Sequence, residues 1–375
     1  MTIPAAILHT PGPDAQFVIE EVTLDPPKGP EVKVQLAASG LCHSDEHLRY
    51  GAYNFDWSPC LGGHEGAGVI VEVGDQVTDL KVGDHVVLTF IPSCGRCRAC
   101  ATGHSNLCDM GAELFSGVSV YDRTHRFHWK DKGVGQFVQL GTFAPYTVVH
   151  QNSAVKIDKR VPLDKAALVG CGVTTGFGSA AWAADTEIGD TAVVVGTGGL
   201  GMNAVQGFRL AGASNIIAVD PHTWKTQLAV DQFGATHQAS SMKEAKDLIH
   251  ELTDGRMADR LVYTVGDGLG SDIEEALSLI GKLGVMVFVA VANSQARDAK
   301  IDLFTLTHYQ QQLRGALFGA ANPRIDIPKI LDLYMKGEVK LDELVTRTYS
   351  LDQVNQGYTD LIDGKNIRGV ITFNH

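Results

Sequence analysis

The sequence has no long hydrophobic run. No stretch approaches 18 consecutive apolar residues, and the most apolar segment, Val285 to Ala292, is only the length of a strand. A membrane-spanning helix needs about 20 such residues, so membrane insertion is not expected. Positive charge is also scarce. Lys and Arg number 31 against 43 Asp and Glu, for a net charge of −12. That balance disfavours nucleic acid and anionic membrane surfaces as partners. Residues Met1 to Thr10 lack the basic segment, apolar core and cleavage site of a secretory leader, which points to the cytoplasm. Cysteine is sparse at seven residues, and in a reducing compartment these are expected as ligands or free thiols rather than disulfides. Internal repeats and low-complexity segments are absent. What remains is an ordinary globular composition, 44% hydrophobic and 20% charged over 375 residues, enough for two domains with substantial cores.

The two expected domains differ in pattern. Residues 1 to about 150 contain short apolar runs, such as Val32–Leu36, Val69–Val73 and Asp84–Thr89. Turn signals at Pro26-Pro27, Gly74-Asp75 and Gly83-Asp84 interrupt them. This predicts a barrel or sandwich of antiparallel strands. From about 173 to 315 the pattern becomes strand, glycine turn, helix. Ala192–Val195, Ile216–Asp220, Leu261–Val265 and Val285–Ala292 read as strands, and Leu200–Leu210 reads as a helix. That alternation predicts a parallel, doubly wound α/β sheet. Beyond 316, helices are expected at Pro328–Lys336 and Leu351–Leu361, and a final strand at Gly369–Phe373.

Four of the seven cysteines, Cys94, Cys97, Cys100 and Cys108, form a C-x₂-C-x₂-C-x₇-C run flanked by Pro92, Gly95, Gly103 and Asn106. Four thiolates so close together on a loop suit a tetrahedral zinc ion. A closed set of four leaves no open coordination position, so its role should be structural. The spacing fits neither common iron–sulfur pattern. Elsewhere, Gly196-Thr197-Gly198-Gly199-Leu200-Gly201 follows a Val-rich strand and opens a helix, and Asp220 lies nineteen residues after Gly201 at the tip of the next strand. Glycines there allow a tight turn and close approach of a pyrophosphate to backbone N–H groups. A carboxylate at Asp220 would accept hydrogen bonds from the ribose hydroxyls and repel a 2′-phosphate, favouring NAD over NADP.

Three further segments carry candidate ligands: Gly40-Leu41-Cys42-His43-Ser44-Asp45, Gly63-His64-Glu65-Gly66 and Gly170-Cys171-Gly172. Two cysteines, a histidine and a water would make an open catalytic zinc site. Taken singly, however, each residue has an ordinary reading as a buried small hydrophobe or a hydrogen-bonded imidazole.

The Gly-His-Glu at 63–65, the four-cysteine loop, Gly-Cys-Gly at 170–172 and the dinucleotide turn occur in the order and spacing of the zinc-dependent medium-chain alcohol dehydrogenases. The sequence resembles that family along its whole length. The segment from 109 to 140 resembles its class I/III-like branch, and in detail the actinobacterial nicotinoproteins dependent on N,N-dimethyl-4-nitrosoaniline (NDMA). The resemblance implies a GroES-like barrel domain of residues 1–172 and 316–375, and a Rossmann domain of residues 173–315. It also implies interconversion of alcohols and aldehydes by hydride transfer to and from NAD, with two zinc ions per chain. Cys42, His64 and Cys171 match the catalytic zinc ligands, Glu65 a nearby acidic residue that can approach the metal, and Asp45 a carboxylate that orients His64. Ser44 and His47 match a proton relay, and Thr175 a residue that packs on the nicotinamide. His43, Lys225, Val291 and Arg368 match cofactor-binding positions alongside Gly196, Gly198, Gly199, Leu200, Gly201 and Asp220. His43 departs from the pattern, since many relatives have Arg there; a neutral imidazole would hold a pyrophosphate less strongly by charge. Tyr53, Phe90 and Phe137 match substrate-pocket positions, and Cys60 has no matching role. A homodimer or homotetramer is implied, and an external electron acceptor in the nicotinoprotein variant. Oxidation of a formaldehyde–thiol adduct and a non-catalytic binding protein of the same fold stand as alternatives.

Overall fold

The computed structural model describes residues 1–53, 59–292 and 295–374. The chain divides into two compact units, Met1–Cys171 with Asn322–His375, and Gly172–Ala321.

The first unit is built on two β systems. Strands Thr2–Leu8, Val18–Leu24, Phe127–Trp129, Lys132–Gln136 and Cys60–Leu61 close a five-stranded barrel. A second sheet runs in the order Ala154–Lys156, His85–Leu88, Glu65–Val73, Glu31–Gly40, Arg368–Thr372, Val345–Tyr349, with Tyr146–His150 also pairing to Glu31–Gly40. The long Glu31–Gly40 strand is almost wholly buried and organises the unit. At its C-terminal end Gly40 pairs with Glu65 on one side and Val370 on the other. Residues far apart in sequence therefore meet where that strand ends. Within the first 150 residues the pairing is not purely antiparallel as expected, since Cys60–Leu61 runs parallel to Lys132–Gln136; outside them, Val345–Tyr349 runs parallel to Arg368–Thr372.

The second unit is a six-stranded, all-parallel sheet in the order His237–Ala239, Asn215–Val219, Thr191–Val195, Ala258–Tyr263, Ile280–Phe288, Gln312–Gly315. In chain order this is 3-2-1-4-5-6, the doubly wound dinucleotide-binding arrangement. Thr191–Val195 is buried on both faces, which accounts for its unbroken run of small and β-branched residues. The Gly199–Ala211 helix packs against Gly172–Gly178, where a Cβ on Gly176 would overlap the Leu200 carbonyl oxygen.

Several local expectations are corrected. The helix expected at Pro328–Lys336 spans Pro323–Met335. Pro323 takes the first helical position, where its missing N–H costs nothing, and Asp326 accepts from the Asn322 N–H at 2.7 Å; Pro328 lies inside the helix. The strand expected at Val285–Ala292 is Ile280–Phe288. The otherwise β-rich first 150 residues include an unexpected helix, His43–Tyr50, whose first turn carries Asp45 and Glu46. Acidic side chains there complement the positive end of the helix dipole, a signal that was readable in the sequence. Among the described residues no single helix is long and apolar enough to cross a membrane.

Candidate metal centres and dinucleotide turn

Cys42, His64, Glu65 and Cys171 are all buried, and one potential ligand atom from each lies within 4.8 Å of the others. Local structure explains how four separate segments converge. Cys42 leads into the His43–Tyr50 helix, directly after the Glu31–Gly40 strand. Glu65 opens the neighbouring strand, and His64 precedes it. Gly63 has φ +88°, a left-handed conformation that favours glycine, and a Cβ there would crowd Thr142 and Phe143. Cys171 follows the 3₁₀ turn Ala167–Gly170, and a Cβ on Gly170 would overlap the Leu88 carbonyl oxygen.

Asp45 is fully buried and supports His64 twice. One carboxylate oxygen accepts the Gly63 N–H at 2.7 Å, and the other lies 2.8 Å from His64 Nδ1. With Nδ1 beside Asp45, Nε2 is left as the imidazole's candidate ligand atom. Burial works against a charged His64. The Asp45 and Cys42 charges outweigh it and raise the His64 pKa well above the usual value. Burial raises that of Asp45. A hydrogen bond from Cys171 pulls Cys42 well below the usual thiol range, against the effect of burial. This donor set of two thiols, an imidazole and a carboxylate suits zinc.

Arg368 lies beside this cluster. Its Nη2 donates to Glu65 Oε2 and, at 3.1 Å, to the Leu41 carbonyl oxygen. Burial disfavours its charge, but Glu65 and Cys42 hold the guanidinium protonated. Gly40 stands between the partners' strands, and a Cβ there would overlap the Glu65 carboxylate. The sequence had suggested a cofactor role for Arg368; its partnership with Glu65 was not legible there.

Ser44 and His47 lie on the same short helix, with Ser44 Oγ 3.8 Å from Cys42 Sγ. Tyr53 shares a hydrogen bond with Ser44, and burial raises its hydroxyl pKa. The Tyr53 ring lies 6.1 Å from His47 and 5.9 Å from Phe137. Phe137 and Phe90 approach His64 edge-on, at 5.5 and 6.1 Å. The structure thus gathers Tyr53, Phe90 and Phe137 around His64, and adds Phe115, 5.2 Å from Tyr53, which the sequence had not singled out. His43 opens the helix, 6.4 Å from the His47 ring. Cys60 is a buried thiol 3.5 Å from the Leu61 carbonyl oxygen.

Cys94, Cys97, Cys100 and Cys108 form a second cluster, again with sulfurs within 4.8 Å of one another. Backbone N–H groups point at the sulfurs: Cys97 to Cys94 at 3.3 Å, Cys100 to Cys97 at 3.4 Å and Cys94 to Cys108 at 3.4 Å. Such donors stabilise thiolates. Although burial opposes it, they bring Cys94 down to about 6, while burial pushes Cys108 up to about 12. A short helix, Arg98–Ala101, interrupts the expected loop.

In the second unit the glycine turn joins Thr191–Val195 to the Gly199–Ala211 helix. Gly196 has φ +90°, and a Cβ on Gly201 would overlap the Gly196 carbonyl oxygen, so both glycines are required by the turn itself. Gly198 differs. No atom lies within 4 Å of where its Cβ would be, and its φ of −78° suits any residue. The protein's own packing does not demand glycine there, whereas close approach of a phosphate would. Asp220 accepts the Thr197 N–H at 2.8 Å and the His222 N–H at 2.9 Å. Lys225 is largely buried, which lowers its pKa against the opposing charge of Asp220. Thr175 is buried on the Gly172–Gly178 helix, and the Val291 carbonyl oxygen accepts the Gly268 N–H at 2.9 Å.

A glycine turn opening a doubly wound sheet in one unit and a buried sulfur–imidazole cluster in the other are the features expected of a metal-binding dehydrogenase. Comparison with known proteins narrows the class. Residues 28–159 match the alcohol dehydrogenase GroES-like domain, and residues 199–336 match the zinc-binding dehydrogenase domain. An NDMA-dependent alcohol dehydrogenase of Amycolatopsis methanolica is 49% identical over 378 residues, 99% of each chain. Alcohol dehydrogenase B of Mycobacterium tuberculosis is 46% identical over 355 residues, covering 95% of this chain and 94% of its own. The benzyl alcohol dehydrogenase structure from Acinetobacter calcoaceticus superposes with a TM-score of 0.91 at 31% identity, covering 100% of both chains. The chain belongs to the zinc-dependent medium-chain alcohol dehydrogenases and is an alcohol oxidoreductase.

The Glu65–Arg368 pair yields a stability test. Arg368→Met leaves a buried carboxylate without its cation and is expected to cost about 3–5 kcal/mol in denaturant unfolding. Adding Glu65→Gln removes the orphaned charge and should recover part of that loss. A double variant no more stable than Arg368→Met would place the cost elsewhere.

Proposed function

We propose that this enzyme oxidises alcohols to aldehydes, and runs the reverse reaction, with NAD as the redox partner and zinc at both cysteine clusters. The observation that carries this reading is the buried meeting of Cys42, His64, Glu65 and Cys171, with the imidazole held by Asp45. When bound, zinc would supply Lewis acidity towards the alcohol oxygen and the nicotinamide would supply the hydride-accepting capacity.

The protein residues then have separate tasks. Cys42, His64 and Cys171 hold the catalytic metal, and Asp45 fixes the His64 ring and tautomer. Glu65 stands by as an exchangeable carboxylate with Arg368 as its counter-ion. Ser44 takes the alcohol proton and His47 passes it towards solvent. The aromatic rings around His64 exclude water from the reacting centre. Cys94, Cys97, Cys100 and Cys108 hold the structural zinc. The Gly196–Gly201 turn receives the pyrophosphate, Asp220 the adenosine ribose, and Thr175 the nicotinamide. Lys225, Val291, His43 and Arg368 complete the cofactor contacts. The resemblance to NDMA-dependent enzymes supports NAD held as a prosthetic group and reoxidised in place by an external electron acceptor. A cytoplasmic homodimer or homotetramer is the expected setting.

Metal analysis should give about two zinc ions per chain. Cys171→Ala is expected to lose about one of them together with activity, while remaining folded. Cys97→Ser should instead lower the unfolding temperature, because its zinc contributes folding energy. Alcohol turnover by wild-type protein containing no zinc would refute the metal assignment.

Asp220→Ala is expected to reduce the preference for NAD over NADP by about tenfold, equivalent to about 1.4 kcal/mol of charge repulsion removed. Equal wild-type use of the two cofactors would rule out that role for Asp220.

Cofactor retention is tested by exhaustive dialysis followed by alcohol oxidation with an artificial acceptor and no added NAD. Sustained turnover is expected, because slow dissociation underlies tight binding among related complexes. Strict dependence on added NAD would return the enzyme to the exchangeable-cofactor class without touching the zinc assignments.

A further inference from the structure

The aromatic cluster beside His64 rests on a turn that the chain does not adopt readily. Val138 has φ +42° and ψ +40°, and Gln139 has φ +64°. Two consecutive non-glycine residues in the left-handed region are rare, and a β-branched side chain there is strained. Such strain persists only where surrounding structure over-determines it.

Here both ends of the turn are pinned. Before it, the Gln136 side-chain amide donates to the Leu140 carbonyl at 3.0 Å, the Val148 carbonyl at 3.1 Å and the Thr147 hydroxyl at 3.3 Å. After it, Thr147 Oγ1 donates to the same Leu140 carbonyl at 2.6 Å. From within the turn, Gln139 Nε2 reaches out to the Glu113 carbonyl at 2.8 Å, tying down the segment that carries Phe115.

The turn also fixes Phe137, which is fully buried and braces two neighbours: the His64 ring at 5.5 Å and the Tyr53 ring at 5.9 Å. Tyr53 in turn lies 5.2 Å from Phe115, which is 44% exposed. One strained turn therefore holds the aromatic layer from both sides, by the Phe137 ring and by the Gln139 amide.

We propose that Val138 and Gln139 are positioning residues for substrate selection: their turn holds Tyr53 and Phe115 as a rigid wall that favours alcohols bearing a flat, unsaturated or aromatic group over small aliphatic ones. Aromatic rings at these separations offer edge and face contacts to another ring, a gain that depends on their geometry. A small aliphatic alcohol lacks the group that reaches the wall. This rests on the alcohol dehydrogenase reading above.

The test uses full-length enzyme with its zinc and NAD, and two variants. Gln139→Glu keeps the size of the side chain but sets a carboxylate against the Glu113 carbonyl. Val138→Gly can still reach the left-handed conformation, so the fold is kept, but it lets the turn sample other conformations and so no longer holds it in one geometry. In both, KM for benzyl alcohol is expected to rise by about tenfold, while kcat and KM for ethanol stay within about twofold. Crystal structures should show the Tyr53–Phe115 pair displaced. A merely structural role would lower the unfolding temperature without changing the benzyl-to-ethanol ratio of kcat/KM. An unchanged ratio in both variants, or an unmoved ring pair, overturns the proposal. Wild-type enzyme inactive on every alcohol would instead count against the function reading, and the ring positions would still decide whether the turn holds the wall.

Discussion

Glu65 is buried with no exposed surface, among two thiols, an imidazole and a second carboxylate, Asp45. Removing such groups from water costs free energy unless each finds a partner, and much of the first unit supplies those partners. Arg368 answers Glu65. Asp45 answers His64 and is itself held by the Gly63 N–H. Under the proposed function a divalent cation would answer the sulfurs, the role their convergence with His64 suits. The sheet topology follows the same demand. The C-terminal Arg368–Thr372 strand pairs with Glu31–Gly40, and that pairing brings a cation from near the end of the chain to a carboxylate near its beginning.

The second unit meets a different constraint with backbone rather than side chains. Its Gly196–Gly201 turn needs two glycines for its own geometry, Gly196 for its positive φ and Gly201 for closeness to the Gly196 carbonyl. Gly198 answers to neither demand, which separates the part of the motif that builds the turn from the part left open for a ligand. Asp220 joins the two roles, since it caps Thr197 and His222 while presenting a carboxylate at the end of the Asn215–Val219 strand.

Two left-handed positions in the first unit lie where a side chain is aimed. The Val138–Gln139 turn aims Phe137, and Gly63 shapes the approach to His64. Neither conformation stabilises the fold locally. The first is held by hydrogen bonds from Gln136 and Thr147, and the second by the Gly63 N–H to Asp45 and the Thr142 N–H to the Gly63 carbonyl.

Legibility in the sequence followed the range of the interaction. The four-cysteine loop and the Gly196–Gly201 turn were readable because each is local: their spacing alone brings the sulfurs or the backbone N–H groups together. The alternation of strands and helices between 173 and 315 was readable for the same reason. The Cys42, His64 and Cys171 set was only a weak candidate from residue type, and family resemblance was needed to single it out, since nothing in their spacing places them at one point. Tertiary structure alone decided that Arg368 faces Glu65, that Tyr53 reaches Ser44, that Phe115 joins the aromatic layer and that Val138 adopts a left-handed conformation. These depend on strand register and on hydrogen bonds between distant segments. A one-residue slip in register turns a side chain to the opposite face, and nothing within a few residues of Glu65 or Val138 records which register the sheet adopts.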